Sequence, residues 1–178
     1  ILLAANSFAS DVLMVTGIKP QICTKEEELA GCVIAVGTMA QNSIIAKLVD
    51  KKVLSLNGID GKWECYKTQL VDYNENNITQ VLAIAGSDKR GCIYGIYRLS
   101  RMIGVSPWVW FADVLPEKKT EIVLSKSTLD MESKEPSVKY RGIFINDQSP
   151  SFTGWAYGKF GGLNEKMYCN VFELILRM

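Results

Sequence analysis

The segment Val81-Leu-Ala-Ile-Ala-Gly-Ser-Asp-Lys-Arg-Gly-Cys-Ile-Tyr-Gly-Ile-Tyr97 leaves few folds open. Residues 81–85 are a short, continuous apolar run, the pattern of a strand covered on both faces. The chain then passes at once into a helical pattern over residues 88–103, with Ser87 as the expected N-cap and Gly104 as the stop. A buried strand feeding directly into a helix calls for a sheet with helices packed on it.

The neighbouring segments supply the rest of that architecture. Residues 32–37 (Cys-Val-Ile-Ala-Val-Gly) form a second apolar run bounded by glycine, again expected to be buried on both faces. Residues 43–51 place Ile44, Ile45, Leu48 and Val49 on one side of a helix. Residues 2–16 carry Leu3, Phe8, Val12 and Val15 at helical spacing and stop at Gly17 and Pro20. Residues 63–71 alternate as a strand does. The order strand, helix, strand, strand, helix predicts an α/β (α+β) fold, a small mixed sheet covered by helices.

The second half changes character. Pro107, Pro116 and Pro136 punctuate residues 105–137, with a strand expected over 121–124 and polar, irregular chain over 125–135. The expected division is a first domain over 1–130, a linker over 131–137 and a second unit over 138–178. That unit starts with a strand over 138–145. A Gly/Ser/Pro-rich loop over 146–162 follows, and then a helix capped by Asn164, with Met167, Tyr168, Val171, Phe172 and Ile175 on one face. The helical pattern runs into Met178 without a stop signal and the chain lacks an initiator Met, so a trimmed chain is expected. Its last 40 or so residues should then be poorly ordered or supported by the first domain.

Composition removes several functions. Lys and Arg number 20 against 19 Asp and Glu, and they form no basic stripe. Lys118-Lys119 after Glu117 reads as a surface turn, so no nucleic-acid partner is expected. No apolar run reaches ~18 residues, so no membrane span is expected. Residues 1–5 lack the basic start of a signal peptide. Histidine is absent, which excludes Ser-His-Asp and Cys-His catalysis within these residues and leaves acid–base work to carboxylates, Lys, Tyr or Cys. The five cysteines are odd in number and form no CxxC pair. They read as buried thiols of a reducing compartment, a lean towards the cytoplasm, and not as a metal site. Asn77-Ile-Thr79 is a glycosylation sequon that carries no weight without secretion. No cofactor is expected.

Four features have competing readings. Gly86-Ser-Asp-Lys-Arg-Gly91 has phosphate-loop spacing, but Cys92-Ile93 stands where Lys-Ser/Thr is needed. Close helix–sheet packing through Gly91 and Gly95 is therefore the favoured reading. Trp108, Trp110 and Phe111 could stack on sugar rings, yet with Val109 and Ala112 beside them they read as packing at a domain seam. Asn146 and Asp147 end the strand Lys139-Tyr-Arg-Gly-Ile-Phe-Ile-Asn-Asp147. In a β/α barrel that is where ligand-facing residues sit; Asp147 as a plain loop cap is the other reading. Trp155, in the loop that follows, suits either a pyranose platform or a packed anchor.

The blocks taken together resemble a known family. Trp63-Glu64, Ala85-Gly-Ser-Asp-Lys-Arg-Gly91, Ile93-Tyr-Gly-Ile-Tyr97, Ile103-Gly-Val-Ser-Pro-Trp108, Ala112-Asp113 and Val138-Lys-Tyr-Arg-Gly-Ile-Phe-Ile-Asn-Asp147 are similar to glycoside hydrolase family 115, the xylan α-(1→2)-glucuronidases. So are Thr153-Gly-Trp155, Phe160-Gly-Gly162 and Val171-Phe-Glu-Leu-Ile-Leu-Arg177. The resemblance implies a hexosaminidase-type N-terminal domain, then the first strand and helix of a (β/α)8 barrel whose remainder is a partner lying outside these residues. It implies an inverting removal of glucuronic acid or its 4-O-methyl form from glucuronoxylan or acidic xylo-oligosaccharides. No catalytic residue is expected in this chain, the general acid lying on later barrel strands. Asn146, Asp147, Gln148 and Trp155 are the substrate-binding candidates. The family usually has Glu where this chain has Gln148, which keeps the shape and hydrogen bonds but holds no charge.

Overall fold

The computed structural model describes all 178 residues, Ile1–Met178. At its centre is a four-stranded sheet of β1 (Gly31–Gly37), β2 (Tyr66–Glu75), β3 (Ile78–Gly86) and β4 (Met131–Glu132), in the order β1-β3-β2-β4. β3 runs parallel to β1 and antiparallel to β2, so the sheet is mixed as expected. The pleat of β3 sends alternate side chains to opposite faces. Val81, Ala83 and Ala85 pack with Ile44, Ile45 and Leu48 of α2 (Ser43–Asp50). Leu82 and Ile84 pack with Ala4 of α1 (Leu2–Thr16) and with Ile96 and Leu99 of α3 (Lys89–Met102). A two-residue turn, Asn76-Asn77, joins β2 to β3 with φ of 50° and 65°. Asparagine tolerates that left-handed conformation, and the twist of such a turn matches that of the strands.

The step from β3 into α3 depends on missing side chains. A Cβ at Gly91 would overlap the carbonyl oxygen of Cys65, and one at Gly95 would overlap Ile84. Both glycines are buried at the contact of α3 with the sheet. The close-packing reading therefore holds. The N-cap is Asp88 and not Ser87. Its Oδ1 accepts from the Gly91 amide at 2.8 Å and its Oδ2 from the Glu64 amide at 2.8 Å, so the helix start is already occupied by a carboxylate.

Several expectations are corrected. β1 is an edge strand, and Cys32 and Ile34 are exposed, so it is not buried on both faces. An apolar run alone does not distinguish a central strand from an edge. Residues 121–124 alternate as expected, Ile122 and Leu124 packing inward, but they pair with no strand. The irregular stretch after them contains α4 (Lys126–Leu129) and β4, which pairs with β2 through Met131 and Glu132. Residues 138–145 are not a strand either. A parallel strand needs a neighbour for its amides and carbonyls, and none of the 178 residues supplies one. Tyr140 and Phe144 are 88% and 91% exposed. The expected loop after Asp147 contains α5 (Ser151–Phe160).

α6 (Glu165–Arg177) begins at Asn164 as expected, Oδ1 accepting from the Met167 amide at 3.0 Å. Its buried face is Met167, Val171, Leu174 and Arg177, while Tyr168 and Phe172 are exposed. The helix packs on α3 and α5. Arg177 is buried over the Tyr97 ring, 4.6 Å from its centroid, and bonds both carboxylate oxygens of Asp11 at 2.7 and 3.0 Å. Glu173 adds a third contact at 2.8 Å. Bidentate geometry and the added acceptor offset the burial of both charges.

Two stability changes are expected. Gly91→Ala should cost about 2 kcal/mol or more, because the obstruction is backbone; a thermal midpoint equal to wild type would contradict the packing. Arg177→Leu should cost about 3–5 kcal/mol by stranding Asp11, and adding Asp11→Leu should recover most of it in urea unfolding.

Candidate functional site

Glu64 is the one buried carboxylate joining the two halves of the chain at the approach to β2. It is 5% exposed, and each of its oxygens meets a guanidinium. Oε1 accepts from Arg90 of α3 at 2.6 Å, and Oε2 accepts from Arg141, 77 residues away. Arg141 in turn donates to the Val138 carbonyl at 2.7 Å and to the Tyr94 hydroxyl at 3.3 Å, and lies 5.7 Å from the Trp63 ring centroid. Glu64 has φ of 57°, a left-handed conformation that costs a residue with a Cβ roughly 1–2 kcal/mol. Burial pushes its carboxyl up, but the hydrogen bonds and charges of Arg141 and Arg90 outweigh this and hold it below the usual range.

Beside this cluster lies an open cleft of about 720 Å³, bounded by α3, α6 and residues 133–143. Among the charged side chains of its lining, seven are Lys or Arg and Glu64 is the one carboxylate. It does not contain the expected site residues, which lie at the other end of the same segment.

Asn146, Asp147 and Gln148 are exposed and adjacent. The Asn146 amide donates to Gln148 Oε1 at 3.4 Å. The Asp147 carbonyl accepts from the Thr153 hydroxyl at the start of α5, and the Gln148 carbonyl from Ser151 at 3.2 Å. α5 therefore fixes the turn that follows the segment and leaves the Asp147 carboxylate without a hydrogen bond or ion pair. Trp155 projects instead into an aromatic cluster. Phe111 and Phe152 stack on it with centroids at 4.7 and 5.5 Å, and Phe160 meets it edge-on at 5.3 Å. This is the arrangement of a packed anchor, the second of the two readings of Trp155. Phe111 thereby packs the seam between the two halves, as expected of it.

Of the five cysteines expected to be buried, Cys65 and Cys92 are, whereas Cys23 is half-buried and Cys32 and Cys169 are exposed. Burial pushes the Cys92 thiol up to about 11, which keeps it protonated and unreactive. No three His, Cys, Asp or Glu side chains converge to hold a metal ion, and no helix is long and apolar enough to cross a membrane. Sequence reasoning placed Trp63-Glu64 and Tyr140-Arg141 in separate blocks and missed their contact. No pattern signal connects residues 77 positions apart.

The pH dependence follows from Glu64. Its folded value lies below the unfolded one of about 4.3, so its contribution is complete above that pH and is lost as pH falls through the folded value. Urea midpoints between about pH 2 and 6 should fall less steeply for Glu64→Gln than for wild type. Parallel curves would contradict the assignment.

Residues 133–178, which carry Arg141 and Asn146–Gln148, match the model of Glycosyl hydrolase family 115. The whole chain is similar to the solved structure of BtGH115A, a family GH115 4-O-methyl-α-glucuronidase with specificity for decorated arabinogalactans, with a TM-score of 0.74 and 30% identity. The match covers 99% of this chain and 22% of that one, so the chain spans about a fifth of that enzyme's length. No curated protein matches the chain. The mixed sheet with its helices is thus similar to a part of that solved enzyme.

Proposed function

We propose that this chain is the N-terminal portion of a family 115 glycoside hydrolase that releases glucuronic acid or its 4-O-methyl form from a polysaccharide side chain. The observation that carries this reading is that residues 133–178, including Asn146 and Asp147, match the family model while the rest of the chain follows the same solved enzyme. Residues 138–178 then belong to the start of a (β/α)8 barrel, and its remaining strands are the partner that covers Tyr140 and Phe144.

The reaction we infer is inverting. It needs a carboxylic acid to protonate the leaving oxygen and a carboxylate on the far side to activate water, about 6.5–9.5 Å apart. In this reading the general acid comes from later barrel strands, and Asn146, Asp147 and Gln148 bind the sugar or position the water. Their amides offer donors and acceptors, and Asp147 offers an accepting carboxylate. Trp155 serves by anchoring α5 beneath the turn. Glucuronoxylan is the substrate favoured by the sequence blocks. A glucuronidated arabinogalactan is the second, favoured by the specificity of the similar enzyme.

Both polymers should be incubated with this chain and with a protein that continues through a whole barrel. Release of 4-O-methylglucuronic acid by the longer protein alone is the expected result. No uronic acid from either polymer with the longer protein would overturn the reading.

A further inference from the structure

We propose that Glu64 is a positioning residue: through Arg141 it fixes the segment that carries Asn146 and Asp147 to the first domain. The inference rests on the proposed function for its kinetic part and on geometry for the rest. Three observations carry it.

Residues 138–145 pair with no strand of the four-stranded sheet, so their contact with it runs through side chains. The far end of the segment is tied by the bonds of α5 to Asp147 and Gln148 and by Ile145, which packs near Ala156 and Met167. At the near end the chain is first held by Ser133, which accepts from the Tyr66 amide at 2.8 Å, and by Glu135, which accepts from the Trp63 amide at 3.0 Å. Arg141 is the polar tie made by the segment itself, its guanidinium meeting Glu64, Tyr94 and the Val138 carbonyl, and its anchor is the Glu64 carboxylate.

The anchor itself is over-determined. Its amide is held by Asp88, its other oxygen by Arg90, and the next residue's amide by Ser87 at 3.0 Å. Every one of these partners lies at the start of α3, the element packed most closely on β3. Glu64 adopts its left-handed backbone inside this set of bonds, and such a conformation persists where the surroundings impose it. Rigidity passes from β3 and α3 through Glu64 to Arg141, and from there to the strand end. An alternative role, a purely stabilising surface ion pair, is disfavoured by the burial of Glu64.

The test has two arms with Glu64→Gln, Arg141→Met and the charge-keeping Glu64→Asp. In the present chain, backbone order parameters of residues 138–145 should fall from about 0.85 to below about 0.6 in the first two variants, while α1 and α3 are unchanged. Glu64→Asp should recover part of the order, which keeps the test decisive where Glu64→Gln folds poorly. In the longer protein with a whole barrel, Glu64→Gln should lower kcat about tenfold or more with KM little changed, because the displaced groups act on the reacting centre. Unchanged order parameters, or lost order with wild-type kcat, would overturn the inference. A wild-type longer protein without glucuronidase activity would overturn the functional reading instead, and the order parameters would then decide the role of Glu64 by themselves.

Discussion

The close seating of α3 on β3 is the contact from which the rest of the molecule takes its position. β3 is buried on both faces, so each face must be covered by a helix close enough to exclude water. On one side α2 does this with branched side chains; on the other, α3 does it by having glycine at the two points of nearest approach. That proximity brings Asp88 to the Glu64 amide and Arg90 to its carboxylate. It also offers α1 and α6 the outer surface of α3. Moving the helix outward by the width of a methyl group would disturb all of these contacts together.

The second half of the chain is organised by a different kind of force. Its apolar cluster of Ala156, Met167 and Val171 is small, and its ties to the first half include polar and aromatic contacts: Arg141 to Glu64, Lys159 to Asp113 at 2.6 Å, Phe111 to Trp155. Directional contacts of this kind specify orientation more than they add stability. Such ties suit a segment whose task, in the function proposed, is to place a few polar atoms accurately.

What could be read from the sequence divides along physical lines. α1, α2, α3 and α6 were legible because their apolar spacing and end signals are local, and Asn164 was found as a cap for the same reason. The packing role of Gly91 and Gly95 was legible because a phosphate loop without its Lys-Ser/Thr has little else to do. β1 was placed correctly but assigned two buried faces, since edge or centre is decided by the neighbours. α5 was read as loop because Gly154, Gly158 and Pro150 argue locally against a helix, and the cluster around Trp155 overrides them. The alternation of residues 138–145 is genuine strand pattern without a ladder to join. Asn146 and Asp147 are candidates by their place at the end of that pattern and Gln148 by the resemblance, whereas the Glu64 cluster is a tertiary event. Trp155 illustrates the limit: an aromatic residue near a candidate site has the same spelling whether it meets a sugar or another ring.

The bond between Asp11 and Arg177 spans 166 positions and closes nearly the entire chain into a ring. The entropy of closing so large a loop must be met before the contact returns anything, so it forms only after the sheet and α3 have brought the two helices together. It is a latch, not a nucleus. α6 is accordingly expected to dock after the sheet has formed. A polypeptide emerging from the ribosome would complete its sheet well before this latch could close.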